Sequence, residues 1–70
     1  MSMAKLMADY NTKLARYRKM EIWEKNASCE DRLKLEQHIR QVITDCSNAL
    51  NRVQALRPVS VDEVLNGFAI

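Results

Sequence analysis

The sequence predicts an all-α fold: an antiparallel helical hairpin with a short third helix near its C-terminal end, two such hairpins pairing into a four-helix bundle. Three observations predict it. Two long runs place apolar residues at alternating spacings of four and three, the period of one helix face. One Gly and one Pro in 70 residues leave few turn signals, so the elements are few and long. Two serines, each followed three positions later by an acid, stand where helices should begin.

The first helix is expected over about residues 3–26, where no Gly or Pro interrupts the chain. Its apolar stripe is Met3, Met7, Tyr10, Leu14 and Tyr17, with Leu6 beside it. The stripe does not last, because the heptad positions after Leu14 and Tyr17 fall on Glu21 and Glu24. Met20, Ile22 and Trp23 lie elsewhere around the helix. At about 100° per residue, Trp23 is roughly 120° from Tyr17. It aligns instead with Lys5, Asp9, Thr12, Arg16 and Lys19. Lys5, Arg16, Lys19 and Trp23 are therefore candidate partner-binding residues, since Trp flanked by Arg is typical of interface hot spots.

A short joint at Asn26-Ala27-Ser28 should fold the chain back as an antiparallel hairpin. Ser28 caps the second helix with Asp31 in the place usually held by Glu or Gln. Glu30 and Asp31 complement the helix dipole. Heptad spacing then runs through Leu35, Ile39, Val42, Cys46, Ala49, Val53 and Leu56, and Ile43 and Leu50 widen the stripe. Pro58 should stop this helix at about residue 57. Together with Tyr10, Leu14 and Tyr17, the residues Leu35, Ile39, Val42, Ile43, Cys46, Leu50 and Val53 form the candidate core or dimer seam.

Residues 58–70 form a tail on the hairpin of residues 1–57, within a single domain. Ser60-Val61-Asp62-Glu63 is a full capping box for a helix over about 61–66, and Gly67 is placed for a left-handed stop. Val61, Val64, Leu65 and Phe68 give the tail an apolar side, which makes Val64, Leu65 and Phe68 further candidate partner contacts. A compact tail can reach the Met3–Met7 end of its own first helix. In an antiparallel dimer it can instead cover the partner copy's Trp23.

The stripe on the second helix is wider than one neighbouring helix can cover. Each Leu or Ile buried there is worth about 1.5–3 kcal/mol. Three covers fit: a homodimer, a helical segment of another protein, or the tail folding back.

Charge is near balance at +2, which forces no nucleic-acid partner. Residues 1–27 carry six basic and three acidic side chains, whereas residues 58–70 carry Asp62 and Glu63 alone. A basic first helix and an acidic tail are thus expected to attract each other. No run approaches the roughly 20 apolar residues of a membrane span, and "MSMAKLMADYN" lacks the apolar centre of a signal peptide. A cytoplasmic protein without membrane contact is the expectation, so the Asn26-Ala27-Ser28 sequon should stay unmodified.

Catalytic signals are sparse. Cys29 and Cys46 sit 17 positions apart on one helix. That is about 25 Å, against a Cα separation of about 4.4–6.8 Å in a disulfide. Cys46 reads as a small core residue. Cys29 lies in a first helical turn, but Glu30 and Asp31 oppose activation of its thiol. His38, the sole histidine, has no metal-ligand spacing around it. One Gly cannot build a phosphate loop. No enzyme activity, metal, cofactor or small-molecule substrate is expected.

The architecture is similar to that of plasmid copy-number regulators of the Rop type, hairpins that dimerise and read RNA with a basic helix face. It is similar also to small type III secretion co-chaperones, hairpins that hold a partner helix. This likeness is architectural and is carried by no shared motif. The expected function is non-enzymatic protein–protein interaction, as a small adaptor, chaperone-like or regulatory protein. The alternative is a dimeric nucleic-acid-binding regulator, since "KLARYRKMEIWEK" mixes basic and aromatic residues on the first helix.

Overall fold

In the computed structural model, which describes residues 2–69, three serine side chains open helices. Ser2 Oγ accepts the Lys5 N–H at 3.3 Å and starts α1 (Met3–Asn26). Ser28 Oγ accepts the Asp31 N–H at 3.1 Å and starts α2 (Cys29–Lys34). Helix α3 (Glu36–Gln54) follows after a single intervening residue, Leu35. Ser60 starts α4 (Val61–Asn66) with a reciprocal box: Ser60 Oγ accepts the Glu63 N–H at 3.2 Å, and the Ser60 N–H donates to Glu63 Oε1 at 3.1 Å. Asp31 is one methylene shorter than Glu63, and only the Ser60 box closes in both directions.

The chain is an all-α helical hairpin whose two long helices, α1 and α3, pack on each other. The expected second helix over 29–57 needs two corrections. It is broken at Leu35, whose φ of −106° and ψ of 15° leave the helical region. The Leu35 N–H still donates to the Asp31 carbonyl at 3.2 Å, and the Ile39 N–H donates to the Leu35 carbonyl at 2.9 Å, so the break is a bend in a continuing rod. Helix α3 also ends at Gln54, and residues 55–57 turn ahead of Pro58. The Leu56 and Arg57 N–H groups both donate to the Val53 carbonyl at 3.0 Å there. A proline that disfavours the helical region at the residue before it accounts for this early end.

The core lies at the open end of the hairpin. Leu6 and Tyr10 from α1, Ala49 and Val53 from α3, and Phe68 from the tail are buried together. Tyr10 and Val53 are sealed almost completely, at 1% and 0% exposure. Met3, Met7, Leu14, Cys46, Leu50 and Val59 surround them.

The tail folds back on its own chain and covers part of the wide stripe at Phe68, whereas Ile43, at 46% exposure, stays open to solvent. The Tyr10 hydroxyl donates to the Val64 carbonyl at 2.6 Å, and Arg18 donates to the Leu65 carbonyl at 2.6 Å. Phe68 meets Tyr10 edge to face with ring centroids 5.4 Å apart, and the Arg57 guanidinium sits 5.3 Å over the Phe68 ring. The tail thus docks along α1, with its hydrogen bonds on Tyr10, Asn11 and Arg18 and with Phe68 in the cluster of Leu6 that Met3 and Met7 border. Gly67 has the positive φ expected of it, +86°, but its ψ of 176° is extended and not the left-handed helical value.

The expected attraction between acidic tail and basic α1 does not form as side-chain pairs. Glu63 pairs with Arg57 in the link before α4, and Asp62 accepts from Asn66 within α4. Backbone carbonyls, not carboxylates, receive the tail's bonds from Tyr10 and Arg18.

Candidate functional site

The opposite end of the hairpin is packed differently. Helix α2 has no buried residue, and Met20 is the one residue of the second half of α1 that is buried. Between α1 and the bend into α3 a groove of about 510 Å³ stays open. Two helical strips build it. On α1, Arg16, Lys19, Met20 and Trp23 recur at three, four and seven positions from Arg16, with Lys13 one turn earlier. On the other wall, Leu35, Ile39 and Val42 recur at four and seven, with His38, Gln41 and Asp45 on their polar side.

The groove is apolar at its floor and cationic along one edge. Met20 is the floor, and Ile39 and Val42 are half-buried. Trp23 is 36% exposed and Leu35 43% exposed, so both stand at the lip. Among the described residues neither Arg16 nor Lys19 has an ion-pair partner. Lys13 reaches Asp9 at 3.7 Å, and Gln41 donates to Asp45 at 2.8 Å across the groove's other edge.

The candidate residues therefore separate into four places. Arg16, Lys19 and Trp23 line the groove, joined by Leu35, Ile39 and Val42, which the heptad had put in the seam. Tyr10, Leu14, Cys46, Leu50 and Val53 build the core around Phe68, which the tail's apolar pattern had offered to a partner. Phe68 is instead buried in its own chain because its backbone and ring are both held by α1. Tyr17, Ile43, Val64 and Leu65 border a second recess of about 480 Å³ beside the docked tail. Lys5 lies alone at the open end, exposed and about 16 Å along the helix from Arg16. Its distance removes it from the groove.

Four contributors were not singled out as site residues from the sequence: Lys13, Met20, Asn11 and Arg18, although Lys13, Arg18 and Met20 lie in the basic and aromatic stretch "KLARYRKMEIWEK". Neither Lys13 nor Met20 falls on the heptad of Met3, Met7, Tyr10, Leu14 and Tyr17, and Met20 is buried where that heptad runs out into Glu21 and Glu24. Their basic and apolar identities flanking Arg16 and Trp23 were the available signal. Asn11 and Arg18 bond to residues 57 and 47 positions away, and no local pattern marks such bonds.

Titration follows burial at the core and hydrogen bonding at the tail. Burial pushes the Tyr10 hydroxyl above its ordinary range, with the neighbouring Cys46 adding to the rise. Burial likewise pushes the Cys46 thiol up. The Ser60 N–H holds the Glu63 carboxyl below the usual carboxylate range, helped by Arg57. None of these groups lines the groove. Among the described residues no three His, Cys, Asp or Glu side chains converge on a metal position, and no helix is long and apolar enough to cross a membrane.

Fold and site together define a helical hairpin whose own tail packs on the end away from the joint and whose joint end carries an uncovered apolar groove. No protein-family model, curated protein or solved structure matches the chain.

Proposed function

We propose that this protein is a non-enzymatic protein–protein interaction module, a small adaptor, chaperone-like or regulatory protein that acts through apolar helix faces. One observation carries the reading. The tail closes one half of the hairpin, while Met20, Trp23, Leu35, Ile39 and Val42 line an uncovered groove in the other. A large aromatic beside a preformed apolar recess is the kind of anchor that dominates protein interfaces. The groove holds no nucleophile–base pair, and its titratable side chains are surface cations, His38 and Asp45.

The nucleic-acid reading draws on Arg16 and Lys19, which have no ion-pair partner among the described residues. The two readings differ in salt dependence. Phosphate binding weakens steeply as salt rises, whereas apolar capture does not.

A benzophenone amino acid in place of Gln41, on the groove wall, tests the function in the native host. A discrete protein adduct that Val42→Asp abolishes supports the module. Adducts that only nuclease removes, or adducts indifferent to Val42→Asp, overturn it.

A further inference from the structure

We propose that the groove takes one amphipathic helix of another protein, about three turns long, apolar where it enters and acidic along the edge that faces α1. This inference rests on the interaction-module reading and names the partner's chemistry.

The length comes from the walls. Lys13 to Trp23 on α1 and Leu35 to Asp45 on the facing wall each span eleven positions, about 16 Å of helix. A helix of that length presents anchors at four- and three-residue spacing, which is how helices enter apolar grooves. A strand-adding partner has no edge to join, because the described residues form no strand. Two helices already form the groove, so a third lying along them buries Trp23 and Leu35 and completes a three-helix layer.

The acidic edge comes from charge. Among the described residues Arg16 and Lys19 have no ion-pair partner on the α1 side, while the facing wall offers Gln41, His38 and a single anion, Asp45. Carboxylates along one edge of the incoming helix answer the first wall, and the opposite edge must be neutral or basic beside Asp45. The arrangement thereby also fixes which way round the helix sits. A second copy of this chain fits less well. Its α1 carries six basic against three acidic side chains, and its acidic α4 is held on its own core. Nucleic acid answers the cations but leaves the apolar floor of Met20, Ile39 and Val42 without a partner.

Trp23 is the sole tryptophan, so its fluorescence reads the groove directly. Two stapled helical peptides of about 15 residues serve as probes, with identical leucine anchors and either a Glu edge or a Lys edge. The Glu-edge peptide should shift Trp23 emission and bind about tenfold more tightly than the Lys-edge peptide. Arg16→Glu combined with Lys19→Glu should reverse that order while circular dichroism shows the hairpin intact. Equal binding of the two peptides, or binding of neither, overturns the acidic-helix inference, and the Gln41 crosslink decides the module reading separately. A mass that doubles with concentration while Trp23 emission shifts makes a second copy the occupant and overturns it too. The same follows if a single-stranded oligonucleotide competes with the Glu-edge peptide and its binding weakens steeply with salt.

Discussion

Asn11 grips Phe68 at both of its backbone polar groups. Asn11 Nδ2 donates to the Phe68 carbonyl at 2.9 Å, and the Phe68 N–H donates to Asn11 Oδ1 at 2.8 Å. One amide on α1 thus gives the end of the tail the pairing that a neighbouring strand would give. Asn11→Ala removes both bonds and leaves the two partly buried backbone groups without partners. It should destabilise the fold by about 1–3 kcal/mol in urea melts. Asn11→Asp keeps an acceptor and loses the donor, so it should fall between wild type and Asn11→Ala. An unchanged midpoint in Asn11→Ala would show that the tail is held by its apolar contacts alone.

Gly67 lies beside the same amide. A Cβ there would stand 2.7 Å from Asn11 Oδ1, and the φ of +86° with an extended ψ disfavours any other residue. Gly67→Ala should cost about 1–3 kcal/mol from the backbone alone, with the collision added. The two contributions separate in a double-mutant cycle. In an Asn11→Ala background the collision disappears and the backbone strain remains, so the two substitutions should destabilise less together than the sum of their separate effects.

These two residues mark where sequence legibility ends. Helix starts are legible because Ser28 and Ser60 act through residues three positions away. The core of Tyr10 and Val53 is legible because heptad spacing records which side of each helix is dry. The bend at Leu35 is not, since "DRLKLEQH" holds no Gly or Pro and Leu is a strong helix former. The destination of the tail is half legible. Its capping box and apolar side are local, but Asn11, Tyr10 and Arg18 find it across 47 to 57 positions. The groove is legible as residues but not as a place. Arg16, Lys19 and Trp23 stood out by identity, while Leu35, Ile39 and Val42 read as seam because spacing cannot report which stretch of a stripe meets a neighbour.

Phe68 joins the tail to the core, so Phe68→Ala should be among the most damaging substitutions, at about 3–5 kcal/mol. A chain of this length has about 3.5–10 kcal/mol of stability in all, and much of it would go. Trp23 lines a groove that no tail residue enters. Under conditions where Phe68→Ala remains folded, its Trp23 emission should match wild type while the melting temperature drops. A large emission shift without a change in melting temperature would place the tail against Trp23 and contradict the docking on Tyr10.

The pH dependence of stability should have an alkaline limb set by the core and an acid limb set by the tail. Tyr10 and Cys46 hold their protons to higher pH when folded, chiefly through burial. Their contribution is complete below the unfolded values, about 8.5 for the thiol and 10 for the phenol, and is lost as pH rises through the folded ones. Glu63 has the opposite sign. Its folded value is depressed by the Ser60 N–H and Arg57, so its contribution is present above about pH 4.3 and lost as pH falls through the folded value. Tyr10→Phe and Cys46→Ala should each flatten the alkaline limb, and Glu63→Gln the acid limb, in denaturation midpoints measured across pH. Tyr10→Phe should also lower stability at neutral pH by about 1 kcal/mol, through loss of the bond to the Val64 carbonyl.

Groove residues should behave in the opposite way to core residues of similar size. Leu35 and Trp23 already meet solvent along a large part of their surface, and α2 beside them buries nothing. Truncating a side chain that borders an open groove removes only part of a full burial term and leaves no closed cavity. Leu35→Ala should therefore cost about 1 kcal/mol and Trp23→Ala no more than about 2 kcal/mol in urea melts, below the cost of truncating a fully buried aromatic. The same truncations should weaken binding of the Glu-edge helical peptide by about tenfold or more, because an aromatic anchor carries a large share of interface energy. Trp23→Ala removes the fluorophore, so its binding is read by calorimetry. A loss above about 2 kcal/mol in either variant would be core-like. It would mean that Trp23 and Leu35 stabilise the hairpin through each other, and that the groove is a seam between helices and not a vacant site. Small stability losses with large binding losses are the pattern that an interface kept open by its own chain requires.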